Sequence, residues 1–232
     1  MSDKNQFSKY ANSYNSYNII QQLVAKSIVR ELQSKPKLIL ELGCGSGQIY
    51  KYIDWEVEHY HAIDASASMC ELHPKGKNIQ IECCDFDSDA FFDAIKDQHY
   101  EMVLSSSALQ WSSNLPKIIK ALSGVTSEIH AALFTSNTFK TIQELSNKPS
   151  PILDENTIKE AFSKFFECTF ELLNYKLLFD NKKELFDYIK KSGVSSSSSL
   201  GFKEAKKLYK EYPLNYLEFE VLFVKAKKSK TE

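Results

Sequence analysis

The chain is poor in the features that mark special environments. Of its 232 residues only seven are glycine, six proline, two tryptophan and five cysteine. No apolar run approaches the ~20 residues that a membrane-spanning helix needs. The opening Met1-Ser2-Asp3-Lys4-Asn5 carries no hydrophobic core of a secretion signal. Cys44, Cys70, Cys83, Cys84 and Cys168 are odd in number, scattered, and form no Cys-x-x-Cys pair. A disulfide framework or structural zinc is therefore not expected, and the cysteines read as small, mostly buried thiols. An excess of one charge sign is missing too. The formal net charge is −1, which argues against the electrostatic footprint of a nucleic-acid binder. These absences predict a soluble, cytoplasmic protein with no metal, no membrane partner and no nucleic-acid partner.

Scarcity makes the placement of glycine informative. Three of the seven fall in Glu41-Leu42-Gly43-Cys44-Gly45-Ser46-Gly47, directly after the apolar run Leu38-Ile39-Leu40. A strand, a Gly-x-Gly-x-Gly turn and a following helix form a cradle for a nucleotide-type ligand. Glycine lets backbone approach the ligand, and the helix offers N–H groups and a positive dipole end. Asp64 closes a second apolar run about 20 residues on, where Rossmann-like folds place an acid that accepts from ribose hydroxyls. The spacing is not the dinucleotide Gly-x-Gly-x-x-Gly.

Hydrophobic periodicity predicts strands over 37–42, 59–63, 79–83, 100–104 and 129–134, with late strands over 168–179 and 216–225. Helices are predicted over 17–33, 47–53, 66–72, 88–96, 114–122, 138–146, 154–165, 182–191 and 202–211. The first shows Ile20, Leu23, Val24, Ile28 and Leu32 near helical spacing. Asn114 is a cap candidate, with Pro116 in the first turn behind it. Ser195 to Ser199 reads as a low-complexity surface loop. Alternating strands and helices imply an α/β, Rossmann-like, doubly wound, mostly parallel seven-stranded sheet. The two late strands supply an antiparallel edge. Such sheets bind ligands beyond the carboxyl ends of their strands, where Glu41, Asp64, Asp85-Phe86 and the stretch from Ser105 to Trp111 collect. Asp85-Phe86 suits an adenine, with a carboxylate for the amine and a ring for stacking. The plainer role for Asp85 is a turn or helix cap.

On these residues the chain resembles class I S-adenosylmethionine (AdoMet) methyltransferases from about residue 37 to 134. Over nearly its whole length it resembles the biotin-synthesis malonyl-acyl-carrier-protein O-methyltransferase family. The shared segments are Phe7-Ser8-Lys9 with Ala11, Tyr14 and Ile20-Gln21; Ser107-Ala108-Leu109-Gln110-Trp111; Phe134-Thr135 with Thr138-Phe139 and Glu144-Leu145; Tyr188 to Val194; and Tyr212-Pro213-Leu214-Asn215-Tyr216 before Glu220 to Phe223. The glycine motif is shared across the superfamily; the Ala-Leu-Gln-Trp and Tyr-Pro-Leu segments discriminate better. One position departs from the family: Ser146 stands where a basic residue often follows Glu-Leu.

The resemblance implies one AdoMet methyltransferase domain over 1–232. It comprises an N-terminal lid and helix (1–33), a cofactor-binding core (34–134), and substrate-side helices and last strands (135–232). It implies cofactor contacts from Glu41, Gly43, Cys44, Gly45, Gly47, Asp64, Ala65, Asp85, Phe86 and Ser105. The acceptor would be a malonyl group on acyl carrier protein, positioned by Tyr14, Tyr17, Gln110, Trp111 and, in place of the absent basic residue, Lys140 or Lys148. Residues 1–20 would close over the site. No general base is needed, because a carboxylate with a pKa near ~4 is already ionised at neutral pH. The same cofactor residues would equally serve another small-acid or quinone-type acceptor, or a non-catalytic AdoMet-binding module.

Overall fold

A computed structural model describes residues 18–191 and 202–229. Seven strands form one sheet: β1 (Leu38–Leu42), β2 (His59–Asp64), β3 (Ile79–Cys83), β4 (Met102–Ser106), β5 (Glu128–Phe134), β6 (Glu167–Leu178) and β7 (Tyr216–Lys227). Their order is β3-β2-β1-β4-β5-β7-β6. The first five pair parallel. The expected antiparallel element is β7, which runs between β5 and the outermost β6 and is antiparallel to both.

Eight helices lie among the described residues: α1 (Ile19–Arg30), α2 (Ala67–Leu72), α3 (Asp89–Ile95), α4 (Leu115–Val125), α5 (Lys140–Ser146), α6 (Glu155–Ser163), α7 (Lys182–Lys191) and α8 (Phe202–Glu211). Four caps among the described residues are side-chain built. Ser88, Asn114, Asp154 and Asn181 accept from Phe91 N, Lys117 N, Thr157 N and Glu184 N, each satisfying an N–H that the first turn leaves unpaired. The stretch 47–53 forms only a 3-10 turn at Tyr50–Tyr52. Gly47 is left-handed (φ 81°) and Ile53 is already extended, so between them the chain makes a single α-type bond, Lys51 N to Gly47 O at 3.2 Å, before tightening to 3-10 pairing.

Period-two alternation divides each strand between two cores. Ile39, Tyr60, Ala62, Met102, Leu104, Ala132 and Phe134 join α1, Leu185, Tyr188 and Leu208 on one face. Leu40, Leu42, Ile63, Val103, Ile129, Ala131 and Leu133 join α3, α4 and α6 on the other. In α1 the buried stripe is Ile20, Gln21, Val24, Ala25, Ile28 and Val29. Leu23 falls outside it and is 47% exposed, because the helix turns that position away from the sheet.

In the order β3-β2-β1-β4-β5 the strand sequence reverses direction between β1 and β4. The chain crosses to one side after β1 and to the other before β4. The crevice this opens lies at the carboxyl ends of β1 and β4, where the glycine turn sits.

Candidate cofactor and acceptor site

The glycine turn is fastened to the end of β2. Gly43 N and Cys44 N both donate to the Ile63 carbonyl, at 2.8 and 3.0 Å, and Gly47 N donates to Cys44 O at 2.9 Å. Two glycines explain the motif for different reasons. Gly43 has φ 70°, and a Cβ there would lie 2.1 Å from Ala108 Cβ, so this position is closed by the β4 loop. Gly45 has φ 52°, yet a Cβ there would meet nothing within 4 Å. Packing does not require glycine at 45. Left-handed backbone facing open space is what a ligand cradle needs. Gly47 packs on Pro74 and His73.

Asp64 locks this loop. Its Oδ2 accepts from Gly45 N and its Oδ1 from Ser66 N, each at 2.8 Å. Burial raises its pKa, and these two N–H groups oppose the rise. A carboxylate offers about four lone-pair sites, so both oxygens retain capacity for hydroxyl donors. Ala65 lies between Asp64 and Ser66 in this turn.

Glu41 lies beneath the loop and is 2% exposed. Its Oε2 accepts from the Tyr60 hydroxyl at 2.5 Å, and His73 Nε2 stands 3.9 Å away, an electrostatic rather than hydrogen-bonding separation. Burial raises the Glu41 pKa, against the effects of His73 and Tyr60. His73 Nδ1 lies 2.9 Å from Pro74 O, a carbonyl that only accepts, so Nδ1 carries the hydrogen. His73 and Tyr60 were not among the sequence-derived site residues. Pairing of β2 with β1 brings Tyr60 to Glu41, and the docking of α2 onto the glycine turn brings His73.

At the end of β3, Asp85 Oδ1 accepts from Asp87 N at 3.1 Å, and Ser88 rather than Asp85 caps α3. The turn reading of Asp85 therefore holds and the cap reading does not. Phe86 is half-buried beside the α3–α4 core. At the end of β4, Ser105 Oγ donates to Leu42 O at 2.9 Å and ties β4 to β1. Ser107 is left-handed at φ 58°. Gln110 Nε2 donates to Ser107 O at 2.8 Å, which fixes the amide and aims Oε1 elsewhere. That buried Oε1 has no partner, nor do Ser106 Oγ, Ser107 Oγ and Ser112 Oγ. Buried polar atoms are ordinarily satisfied, so this cluster of four is suited to polar groups of a ligand. Trp111 ends the 3-10 turn Leu109–Trp111 and packs half-buried against the α1-side core.

The acceptor-side residues divide. Lys140 opens α5 and is exposed. Lys148 is ion-paired with Glu204 of α8 at 3.3 Å. Ser146 Oγ turns back to Gln143 O at 3.3 Å. Tyr14, Tyr17 and residues 1–17 of the lid expected over 1–20 lie outside the described residues. Nearby, Glu220 Oε1 accepts from Thr135 Oγ1 and Asn137 Nδ2, at 2.5 and 2.9 Å, which holds the end of β5 to β7. Among the described residues, no helix is long and apolar enough to cross a membrane, and no group of three or more His, Cys, Asp or Glu is arranged to hold a metal.

A family model described as a methyltransferase domain matches residues 39–128, from within β1 to the start of β5. A malonyl-[acyl-carrier protein] O-methyltransferase of Bacillus cereus is 24% identical, over 88% of this chain and 84% of that protein. A protein of the same name from Acetivibrio thermocellus is 29% identical over 50% of this chain and 42% of its own length. The YcgJ protein of Bacillus subtilis superposes with a TM-score of 0.65 at 11% identity, covering 90% of this chain and 99% of that one. The plantazolicin methyltransferase BpumL, solved with S-adenosylhomocysteine (SAH), gives 0.52 at 14% identity, with coverages of 97% and 90%. The strand order, the glycine cradle and these likenesses agree. The chain is a class I AdoMet-dependent methyltransferase that resembles the malonyl-acyl-carrier-protein enzymes.

Proposed function

We propose that this AdoMet-dependent methyltransferase esterifies the free carboxylate of a malonyl thioester on acyl carrier protein, an early step of biotin (pimeloyl) synthesis. The observation that carries the reading is the likeness to the B. cereus malonyl-carrier enzyme, which extends over 88% of the chain and so beyond the cofactor half. Esterification removes a charge whose burial is costly, so the product suits apolar chain-elongation sites that would reject the acid.

AdoMet, when bound, supplies an electrophilic methyl group on a sulfonium. Glu41, Gly43, Cys44, Gly45, Gly47, Asp64 and Ala65 cradle it, with Asp64 accepting from the ribose hydroxyls. Asp85 and Phe86 take the adenine, and Ser105 holds the floor between β1 and β4. The open space over Gly45 and the unpartnered oxygens at the end of β4 fit this role. On the acceptor side, Gln110, Trp111, Tyr14 and Tyr17 orient the substrate and exclude water, and Lys140 holds the malonyl carboxylate. Positioning is the main catalytic device, since an ionised carboxylate needs no base and good orientation contributes several kcal/mol. The acidic carrier docks through exposed lysines such as Lys203, Lys206 and Lys207.

The test is direct. The protein is incubated with AdoMet and, separately, malonyl-carrier protein, malonyl-CoA and other small acids. A one-methyl mass gain on the malonyl-carrier protein is expected. Its absence, together with failure to restore biotin-independent growth to a strain lacking this step, refutes the acceptor.

A further inference from the structure

A buried carboxamide near the start of α1 stands without a partner. Gln21 lies in the inward stripe of α1 with Ile20 and Val24. It is 5% exposed, yet its Oε1 accepts no hydrogen bond. Its neighbour Gln22 is used locally, with Nε2 donating to Asn18 Oδ1 at 2.5 Å. Burying an amide oxygen without a donor is costly, and buried polar atoms are ordinarily paired. Methionine or leucine would fill the same stripe without that cost.

The fold carries this side chain to the ligand end of the sheet. α1 packs against β4 and β5. Just beyond its last turn, Glu31 is ion-paired with Lys225 at 3.1 Å, and Lys225 lies opposite His130, early in β5. The chain then enters the amino end of β1 at Leu38. From Gln21 to Glu31 the helix rises ~15 Å at ~1.5 Å per residue. From His130 to Phe134 the strand rises ~13 Å at ~3.3 Å per residue. Gln21 is therefore level with the carboxyl end of β5, the end of the sheet that holds the glycine turn. Gln110 is at that end too. Its turn Leu109–Trp111 also packs on β5, it is 3% exposed, and its Oε1 is likewise unpartnered.

Two amide oxygens select the chemistry of what they meet. Such an oxygen repels a carboxylate and takes N–H or O–H donors. The acid end of a malonyl acceptor cannot use them, and a free malonate ion has no donor to offer. The thioester arm of a carrier does: phosphopantetheine bears two secondary amides between its sulfur and its phosphate. We propose that Gln21 is an acceptor-binding residue whose Oε1 accepts from an amide N–H of that arm, so that the enzyme reads the arm as well as the acid it carries. The assignment rests on the thioester acceptor proposed above. The unpartnered oxygen then costs stability only in the free enzyme and is satisfied in the complex.

The probe is S-acetyl-pantetheine, which carries both amides and no carboxylate to methylate. It is titrated by calorimetry into wild type and Gln21→Met, each saturated with SAH, and AdoMet is titrated separately into the free proteins. Gln21→Met should bind the probe at least about fivefold more weakly, because the arm's N–H is left unpaired. It should bind AdoMet like the wild type and melt, without ligand, no lower than the wild type, because the orphaned oxygen is gone. In turnover its KM for malonyl-pantetheine should rise while kcat is kept. No binding of the probe by wild type, or equal binding by the two proteins, overturns the proposal. So does a loss that falls on AdoMet, which would make the donor the cofactor's ammonium, and so does a lowered melting temperature, which would make the carboxamide a support of the fold. An ester formed on malonyl-carrier protein beside equal probe binding sinks this assignment alone, so the two readings fail separately.

Discussion

Gly43 and Gly45 separate folding from binding within one loop. Both are left-handed, so an alanine at either costs ~1–2 kcal/mol from conformation alone. At Gly45 the cost stops there, because a Cβ meets nothing within 4 Å. At Gly43 it would sit 2.1 Å from Ala108 Cβ, and relieving such overpacking adds ~1–3 kcal/mol. For a chain of this size each kcal/mol moves the melting temperature by ~2–4 °C. Without ligand, Gly45→Ala should therefore melt ~2–8 °C below wild type and Gly43→Ala a further ~2–12 °C lower. The order reverses for binding by folded protein. Gly45→Ala places a methyl group in the space assigned to the cofactor, and AdoMet affinity should fall at least about tenfold, or ~1.4 kcal/mol. Gly45→Val should abolish it. Melting curves without ligand and calorimetry with AdoMet read the two effects independently. Wild-type AdoMet affinity in Gly45→Ala would show that the open space is not the cofactor's, and a melting point as low as that of Gly43→Ala would refute the packing argument.

Four further outcomes are expected. Asp64→Ala should weaken AdoMet binding by ~1–3 kcal/mol by calorimetry, the range for losing hydrogen bonds to a charged group. Burial raises the Glu41 carboxyl in the folded state, so its contribution to stability is present below the ordinary carboxylate range and is lost as pH rises through the raised value. Glu41→Gln should therefore gain in ligand-free melting temperature over wild type as pH rises from about 4 to about 8; a gap constant with pH would contradict this. Lys140→Met should raise the KM for malonyl substrate at least about tenfold, consistent with ~1.5–3 kcal/mol for a charge-assisted hydrogen bond, while AdoMet affinity stays put. Lys148→Met, whose partner is Glu204, should leave KM unchanged in steady-state assays.

The parallel half of the sheet was legible because β1, β2 and β4 end in a short apolar run followed at once by polar chemistry (Leu42 then Gly43, Ile63 then Asp64, Leu104 then Ser105), while β3 shows period-two alternation in Ile79-Gln80-Ile81-Glu82. Local pattern sufficed there. The insertion of β7 between β5 and β6 depends on pairings such as Phe134 with Val221 and Leu172 with Leu222, and no local pattern encodes a partner so far along the chain. The buried partners of Glu41 were invisible for the same reason. Tyr60 is indistinguishable from any aromatic core residue until the pleat turns it toward Glu41. His73 follows a six-residue helix whose docking angle alone brings it beneath the loop. Asp85 shows the limit of residue-type reasoning: the turn supplies two capping candidates three residues apart, and only the backbone path selects Ser88.

The acceptor leaves a weaker trace than the cofactor for a chemical reason. Methylating a carboxylate needs no acid, base or nucleophile from the protein, so the site need contain no constellation that sequence could announce. What remains is the placement of charge. Gln110 presents its Oε1 as a buried, unpartnered acceptor, because Nε2 is committed to Ser107 O. An acceptor oxygen repels a carboxylate and favours N–H or O–H donors. On the proposed function the acceptor carboxylate then lies away from Gln110 and toward a cation, while a donor from cofactor or substrate takes Oε1. With Lys148 held by Glu204 and a serine at 146, the exposed Lys140 at the start of α5 best meets that requirement. Gln110→Glu offers the sharpest check: a second anion in the pocket should depress turnover of a carboxylate acceptor far more than Gln110→Met, and equal turnover in the two variants would separate Gln110 from the acceptor.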